Sequence, residues 1–331
     1  MTKTPSKLGG WDVHAHIIPE TVVAAGQDGR FGMSEVSDKL HICGHGVPIY
    51  PISQIGKLRE RIDADGLDGA FVSVPTPLYR PDISAQDRRD YAFLVNDGLA
   101  EACSAHAGTL LPMAYLPAED PELAVDIAKD LDDNWVGVSI GTDLGALACS
   151  DTRFDPLWAI LAQANMPVFV HPGFSPDKRL EKFYLENLFG NPHETTLVAA
   201  NMVFGGTFDR HPDLKVILAH GGGALATLAG RWQRGVETSR PNVPQDLQYP
   251  PLDAAKRFYV DTIVHNDAYL DFLIEFLGLD KILYGSDWPF PMGASCVEHA
   301  LGHLSADLQY AIRTINVTQA FGERLGKCAA R

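Results

Sequence analysis

Cysteine is scarce in this sequence and nowhere paired. The five cysteines, Cys43, Cys103, Cys149, Cys296 and Cys328, are scattered and odd in number, with no CxxC spacing among them. That argues against a disulfide framework and a zinc knuckle, and points to reduced thiols in a cytoplasmic protein. Positive charge is short as well: 27 lysines and arginines stand against 42 aspartates and glutamates, a formal net charge of −15. So acidic a chain is a poor partner for nucleic acid or an anionic membrane, although a locally positive site can still take an anionic substrate. No apolar run reaches the ~20 residues of a membrane span. The N-terminal stretch MTKTPSKLGGWDVHAH carries no apolar core of the secretory kind. Nucleotide-binding spacings are missing too. Gly221–Gly223 matches neither GxGxxG nor GKS/T, so these glycines are read as letting the backbone pass close to a pocket.

What is present is apolar material in short pieces. The 331 residues are 46% hydrophobic and 21% charged, enough for one large core. Eight β-branched runs alternate with helical patterns: Gly10–Ile17, Gly69–Val74, Leu110–Leu116, Val136–Gly141, Pro167–His171, Lys215–His220, Phe258–Ile263 and Lys281–Ser286. Runs this short, bounded by glycine and proline, suit strands buried on both faces of a parallel sheet. Between them Ile55, Leu58 and Ile62, and again Tyr91, Leu94, Val95 and Leu99, fall at helical spacing. Asp155-Pro156 reads as an N-cap followed by proline in the first turn. The pattern predicts an α/β fold, a (β/α)8 TIM barrel forming a single domain over residues 1–331. Residues 20–54, rich in glycine, serine and histidine with little helical period, interrupt it after strand one. They are read as a lid over the catalytic mouth. Thr238–Pro251, with four prolines, reads as a surface spacer.

The chemistry gathers at the C-terminal strand ends. Strand one closes on Asp12-Val13-His14-Ala15-His16. Residues two apart in a strand point the same way, so His14 and His16 reach one ion together. Strand five ends at His171, strand six at His220, and strand eight runs into Asp287. A lone strand-end histidine is ordinarily a hydrogen-bonded structural residue, and HxH alone is weak. Four histidines and an aspartate delivered to one mouth are a metal site. Nitrogen donors with one carboxylate suit zinc first, with manganese, iron and cobalt as alternatives. An open coordination position would carry water, its pKa drawn toward about 7. Strand four ends Val138-Ser139-Ile140-Gly141-Thr142-Asp143, without the lysine that bridges two ions in binuclear barrels of this kind, so one divalent metal per chain is expected.

The stretches WDVHAHIIPE, FVHPG, HETT with GGTFDRHPDLKVILAHGGG, GRWQRG, FYVDTIVH and KILYGSDWPFPMG resemble the amidohydrolase superfamily. Within it they resemble the branch typified by α-amino-β-carboxymuconate-ε-semialdehyde decarboxylase. The likeness spans nearly the whole chain and is most specific from Pro167 to Gly293. It implies His14, His16, His171 and Asp287 as metal ligands and His220 as the catalytic base that works on metal-bound water, with a fifth ligand as the alternative role for His220. It implies that Arg231, eleven residues after His220, grips a substrate carboxylate from the neighbouring subunit of a homodimer, the other reading being a solvated helix residue. Phe290 matches an aromatic wall, or plain core packing. One departure stands out. The lid stretch Lys39–Gly46 holds no arginine where the family has a second carboxylate-binding one, which leaves His45 in that place, and with it doubt about the namesake substrate. His41 and His45 read equally well as solvated loop residues. Asp261 and His265 read as support for the metal centre or as structure.

The expected activity is non-oxidative decarboxylation of an aromatic or muconate-semialdehyde-type carboxylate in aromatic catabolism, with no organic cofactor. A metal-dependent hydrolase or hydratase cleaving a C–C, ester or amide bond is the alternative, since one barrel hosts many reactions. A non-catalytic metal-binding protein is the third reading.

Overall fold

All eight runs become strands of one parallel sheet in the computed structural model, which describes residues 8–145 and 147–330. In chain order the strands are β1 (Trp11–His16), the insertion strands β2 (Ser34–Val36), β3 (Lys39–Ile42) and β4 (His45–Pro48), and then β5 (Gly69–Ser73), β6 (Leu110–Tyr115), β7 (Gly137–Gly141), β8 (Val168–His171), β9 (Val216–Leu218), β10 (Tyr259–Asp261) and β11 (Ile282–Leu283). The large sheet runs β1-β5-β6-β7-β8-β9-β10-β11. It closes into a barrel because the last strand returns to the first. Val13 N–H donates to the Tyr284 carbonyl at 2.8 Å, His16 N–H to Trp288 at 2.9 Å and Asp287 N–H to His14 at 2.7 Å. The ladders of β9 and β11 are shorter than their apolar runs. His220 and Asp287 at their ends sit at φ 56° and 57°, where no ladder continues.

Strand alternation alone would have sent the first-strand histidines the wrong way. Trp11 and Val13 pack inside the barrel with Phe71, Met113, Phe169 and Ile217. Strict alternation from them would turn Ala15 inward and both histidines outward. A register shift between Asp12 and Ala15 reverses the parity: Ala15 joins the outer cluster under the helices, and His14 packs edge-on against inward-facing Phe169 at 4.8 Å. The bulge thus aims both imidazoles at the mouth. Val317, Ala320 and Phe321 of the C-terminal helix plug the opposite end.

Helices cover the outer face as their spacing requires. Leu58 and Ile62 are buried in the helix Ile55–Asp65, and Tyr91, Val95 and Leu99 in the helix Ala85–Ser104, which Ser84 caps at the Asp87 N–H. Asp155 departs from its expected part. It opens the helix Asp155–Gln163 without capping it, because its carboxylate is taken by Arg210 at 3.0 Å and His211 at 2.9 Å. The insertion also holds more structure than its composition announces: a helix over Glu20–Gln27 and an antiparallel sheet β2-β3-β4. Ser37-Asp38 and Cys43-Gly44, all at positive φ, make its two tight hairpin turns, and Leu40, Ile42 and Val47 are buried beneath it. Thr238–Pro251 is irregular up to its last residue, as expected.

Buried Asn96 ties the helix Ala85–Ser104 to the sheet through both amide ends: Nδ2 donates to the Tyr115 carbonyl at 2.9 Å, and Oδ1 accepts from its N–H at 2.8 Å. Asn96→Ala strands both groups and should cost about 2–3 kcal/mol, read from the urea midpoint. A midpoint unchanged from wild type would show that water replaces the clamp at no cost.

Candidate metal centre

Asp261, the last residue of β10, organises the centre. Its Oδ2 accepts from His14 Nδ1 at 2.6 Å and from the His220 N–H at 2.9 Å, and its Oδ1 from the N–H groups of Gly221 at 2.8 Å and Ile263 at 3.0 Å. A carboxyl taking three backbone N–H donors is an ionised acceptor, so the proton between it and His14 resides on Nδ1. His14 Nε2 is the nitrogen left to face the other ligand atoms. That nitrogen lies 2.9 Å from His16 Nε2 and 3.3 Å from Asp287 Oδ1, and His16 Nε2 lies 3.2 Å from the same oxygen. Ser73 Oγ holds His16 from behind, 3.1 Å from Nδ1. His171 turns its Nδ1 to the Pro172 carbonyl at 3.1 Å, and its buried Nε2 has no partner. His220 stands on the other side, Nε2 3.7 Å from Asp287 Oδ2. One ligand atom from each of His14, His171, His220 and Asp287 lies within 4.8 Å of the others.

Charge in this centre is unbalanced in a way that a cation corrects. Burial pushes His171 far below the ordinary histidine range, helped by its imidazole neighbours, and burial lowers His16 as well. Burial would raise Asp287, but His14, His16 and His220 hold its carboxyl well below the usual range. His14 runs the other way. Burial opposes its charge, yet Asp287 and Asp261 together raise it to about 10. Ring nitrogens and a carboxylate crowded at hydrogen-bond distance, with an orphaned buried Nε2 among them, fit a divalent ion that would take the place of the His14 Nε2 proton and be held by three histidines and an aspartate. Close packing keeps the site in place. A Cβ at Gly285 would lie 2.8 Å from the Cβ of His14 and 3.0 Å from that of Asp261. One at Gly223 would strike the Pro192 carbonyl, which is the close backbone passage expected of the glycine triplet.

Two chambers meet at His220 and Asp287. The larger, about 500 Å³, is lined by His171, His45, Phe174, Phe290, Glu186 and Asn187 among others, and the smaller, about 250 Å³, by His265 and Tyr269. His45 reaches the larger chamber from β4 and stacks on Phe174 with ring centres 3.7 Å apart. His41 instead packs toward Gly46 within the insertion. Phe290 meets His16 edge-on at 5.7 Å. Arg231 is not brought to the centre of its own chain. It lies exposed on the helix Leu225–Glu237, its guanidinium with no hydrogen bond or ion pair to any described residue. Sequence reasoning missed Phe174, Glu186 and Asn187. The available signal was the long irregular stretch between the end of β8 and the helix Asn191–Phe204.

A closed parallel barrel whose first, fifth and eighth strands pool imidazoles and a carboxylate defines a class, and the chain belongs to it: the amidohydrolase family, whose model matches residues 11–300. The particular relatives are decarboxylases. The chain is 29% identical to 2-amino-3-carboxymuconate-6-semialdehyde decarboxylase of Dictyostelium discoideum over 71% of its own length and 66% of that protein's. It is 25% identical to gamma-resorcylate decarboxylase of Rhizobium radiobacter over 82% of this chain and 86% of the relative. Among solved structures, 5-carboxyvanillate decarboxylase of Novosphingobium aromaticivorans, complexed with manganese and 4-hydroxy-3-methoxy-5-nitrobenzoic acid, superposes with a TM-score of 0.77 at 20% identity, covering 97% of each chain.

Because Asp261 sets the tautomer of His14, Asp261→Asn should turn an amide N–H toward donors it cannot accept from. Metal affinity should fall about 10–100-fold in a chelator competition. Unchanged affinity in a folded variant would leave Asp261 a structural residue only.

Proposed function

We propose that this chain releases CO2 from a hydroxylated aromatic or muconate-semialdehyde-type carboxylate in aromatic catabolism. We further propose that it works in the cytoplasm as a homodimer with one divalent ion per chain, zinc or manganese. The chain is a metal-dependent non-oxidative decarboxylase of the amidohydrolase family. The observation that carries this is the placing of His220: of the imidazoles around Asp287 it alone fronts both chambers, and its ring nitrogen lies within 4.8 Å of the ligand atoms of His14, His171 and Asp287. The family's decarboxylases named above carry their chemistry on carboxylates of this kind. Manganese enters as an alternative to zinc because the Novosphingobium enzyme was solved with it. All five cysteines are free, in keeping with a reducing compartment. No helix is long and apolar enough to cross a membrane among the described residues.

A bound divalent ion would supply Lewis-acid polarisation of the substrate oxygens. The rest falls to the chain. Phe290 and the stacked His45–Phe174 pair offer flat walls for a conjugated ring. His14, His16, His171 and Asp287 are the metal-holding set. As the C–C bond to the carboxylate breaks, its electron pair stays on the ring carbon. His220 holds the proton that this carbon takes, leaving CO2 as the second product. With hydroxybenzoates, dihydroxyphthalates and muconate semialdehydes as the panel, the product should gain one solvent hydrogen and no solvent oxygen. Solvent ¹⁸O in the organic product would replace this reading with hydrolysis. His220→Asn should keep its metal and lose about 10²-fold in turnover, whereas His171→Asn should lose the metal. Loss of metal in both would make His220 a ligand.

The unengaged Arg231 supports a site completed by the neighbouring subunit. Its planar fork suits a carboxylate. Arg231→Ala should chiefly raise KM. Mixed with His220→Asn chains, it should recover activity toward half of wild type per dimer, since one site of each heterodimer keeps both residues. No recovery on mixing, or a fully active monomer, would rule out action across the interface.

A further inference from the structure

At the barrel end remote from the metal centre, a second concavity of about 780 Å³ opens among the strand starts, lined by four cationic side chains. Lys215 immediately precedes β9, Lys281 immediately precedes β11, and Lys256 and Arg257 lie just ahead of β10. Their partners account for little of this charge. Lys215 Nζ donates to the carbonyls of Ala320 at 2.7 Å and Gln319 at 3.3 Å. Lys256 Nζ sits over the Phe276 ring at 5.7 Å. Arg257 donates to the Pro212 carbonyl and is held between Tyr249 at 4.4 Å and Phe208 at 5.4 Å, its buried Nε without a hydrogen-bond partner. None of these three has a carboxylate partner among the described residues. Lys281 has one, the exposed Asp280 at 3.6 Å, and its Nζ lies over Tyr259 at 4.3 Å.

In a chain with 42 acidic and 27 basic residues, a concavity drawn at random should hold more carboxylates than cations. Here Asp213 is the only carboxylate in the lining. The crowding has a cost: burial first, and then the ammonium of Lys281, hold Lys215 below the ordinary lysine value. Carbonyl oxygens and ring faces satisfy donors but do not neutralise them. A multivalent oxyanion does both, and an arginine fork fixed between two rings beside three lysine ammoniums is a donor set suited to phosphate. Gln163 and Asn165 add carboxamides to the lining, and the volume lies in the range of small-molecule sites. We propose that this basin binds a small phosphate-bearing metabolite, at a site separate from the decarboxylation centre and independent of the reading given for that centre.

The experiment is a calorimetric titration of the metal-loaded protein with inorganic phosphate at constant ionic strength. Wild type is compared with Lys256→Glu/Lys281→Glu and with Lys57→Glu/Lys129→Glu, which makes the same change in net charge at exposed positions elsewhere. Wild type should bind saturably. The basin pair should weaken binding at least about tenfold and the control pair less than about twofold, with decarboxylase turnover unchanged in both. Should the charge reversals fail to fold, Lys256→Gln/Lys281→Gln serves in their place, with a smaller loss expected. Asp287→Ala should bind phosphate as wild type does. Absence of saturation, equal loss in the two pairs, or loss in Asp287→Ala instead would overturn the proposal.

Discussion

The carboxylate of Asp261 is the constraint on which the centre rests. Four donors from three chain segments converge on its two oxygens: a side chain from β1, the backbone turn after β9, and the backbone beyond β10 itself. A buried charge is costly unless its lone pairs are satisfied, and here all of them are. The same four bonds fix the tautomer of His14 and hold the His220–Gly221 turn at positive φ. One residue that is neither expected ligand nor expected base therefore determines where both must stand.

Around that anchor the barrel divides its labour. The inner apolar layer and the C-terminal helix fill the lower half, so that the interior is packed rather than hollow. Polar chemistry is confined to the strand ends, where backbone strain collects: His220, His265 and Asp287 all take left-handed conformations there. Such conformations persist only when surrounding packing over-determines them, which the close approach at Gly285 illustrates. The insertion sheet contributes His45 and Val47 to the larger chamber while keeping a small apolar core of its own.

Much of this was legible in the residues. The eight apolar runs and the strand-end histidines follow from periodicity and position, and Asp287 from its place beyond the last strand. What escaped did so for physical reasons. A β-bulge leaves no mark in composition, so that His14 and His16 share a direction could be read, but not that this direction required a parity shift. Asp155 looked like a cap because nothing local revealed Arg210 and His211 as competing partners. The chamber walls at Phe174 and Glu186 come from an irregular loop and a single π-helical turn, where side-chain direction has no regular period to follow. Arg231 could be seen as chemically apt, but its place on the exposed face of its helix, away from the centre of its own chain, carries no local mark.

The seam where the barrel closes has a consequence in time. His14 and His16 on β1 leave a ribosome long before Asp287, which follows β11. The bond from Asp287 N–H to the His14 carbonyl is both the zip of the barrel and the span across the metal pocket. No stretch of nascent chain short of the eighth barrel strand can present the full donor set. The complete donor set therefore exists only once the barrel is topologically closed, and the pocket and the last join of the fold are made by the same residues.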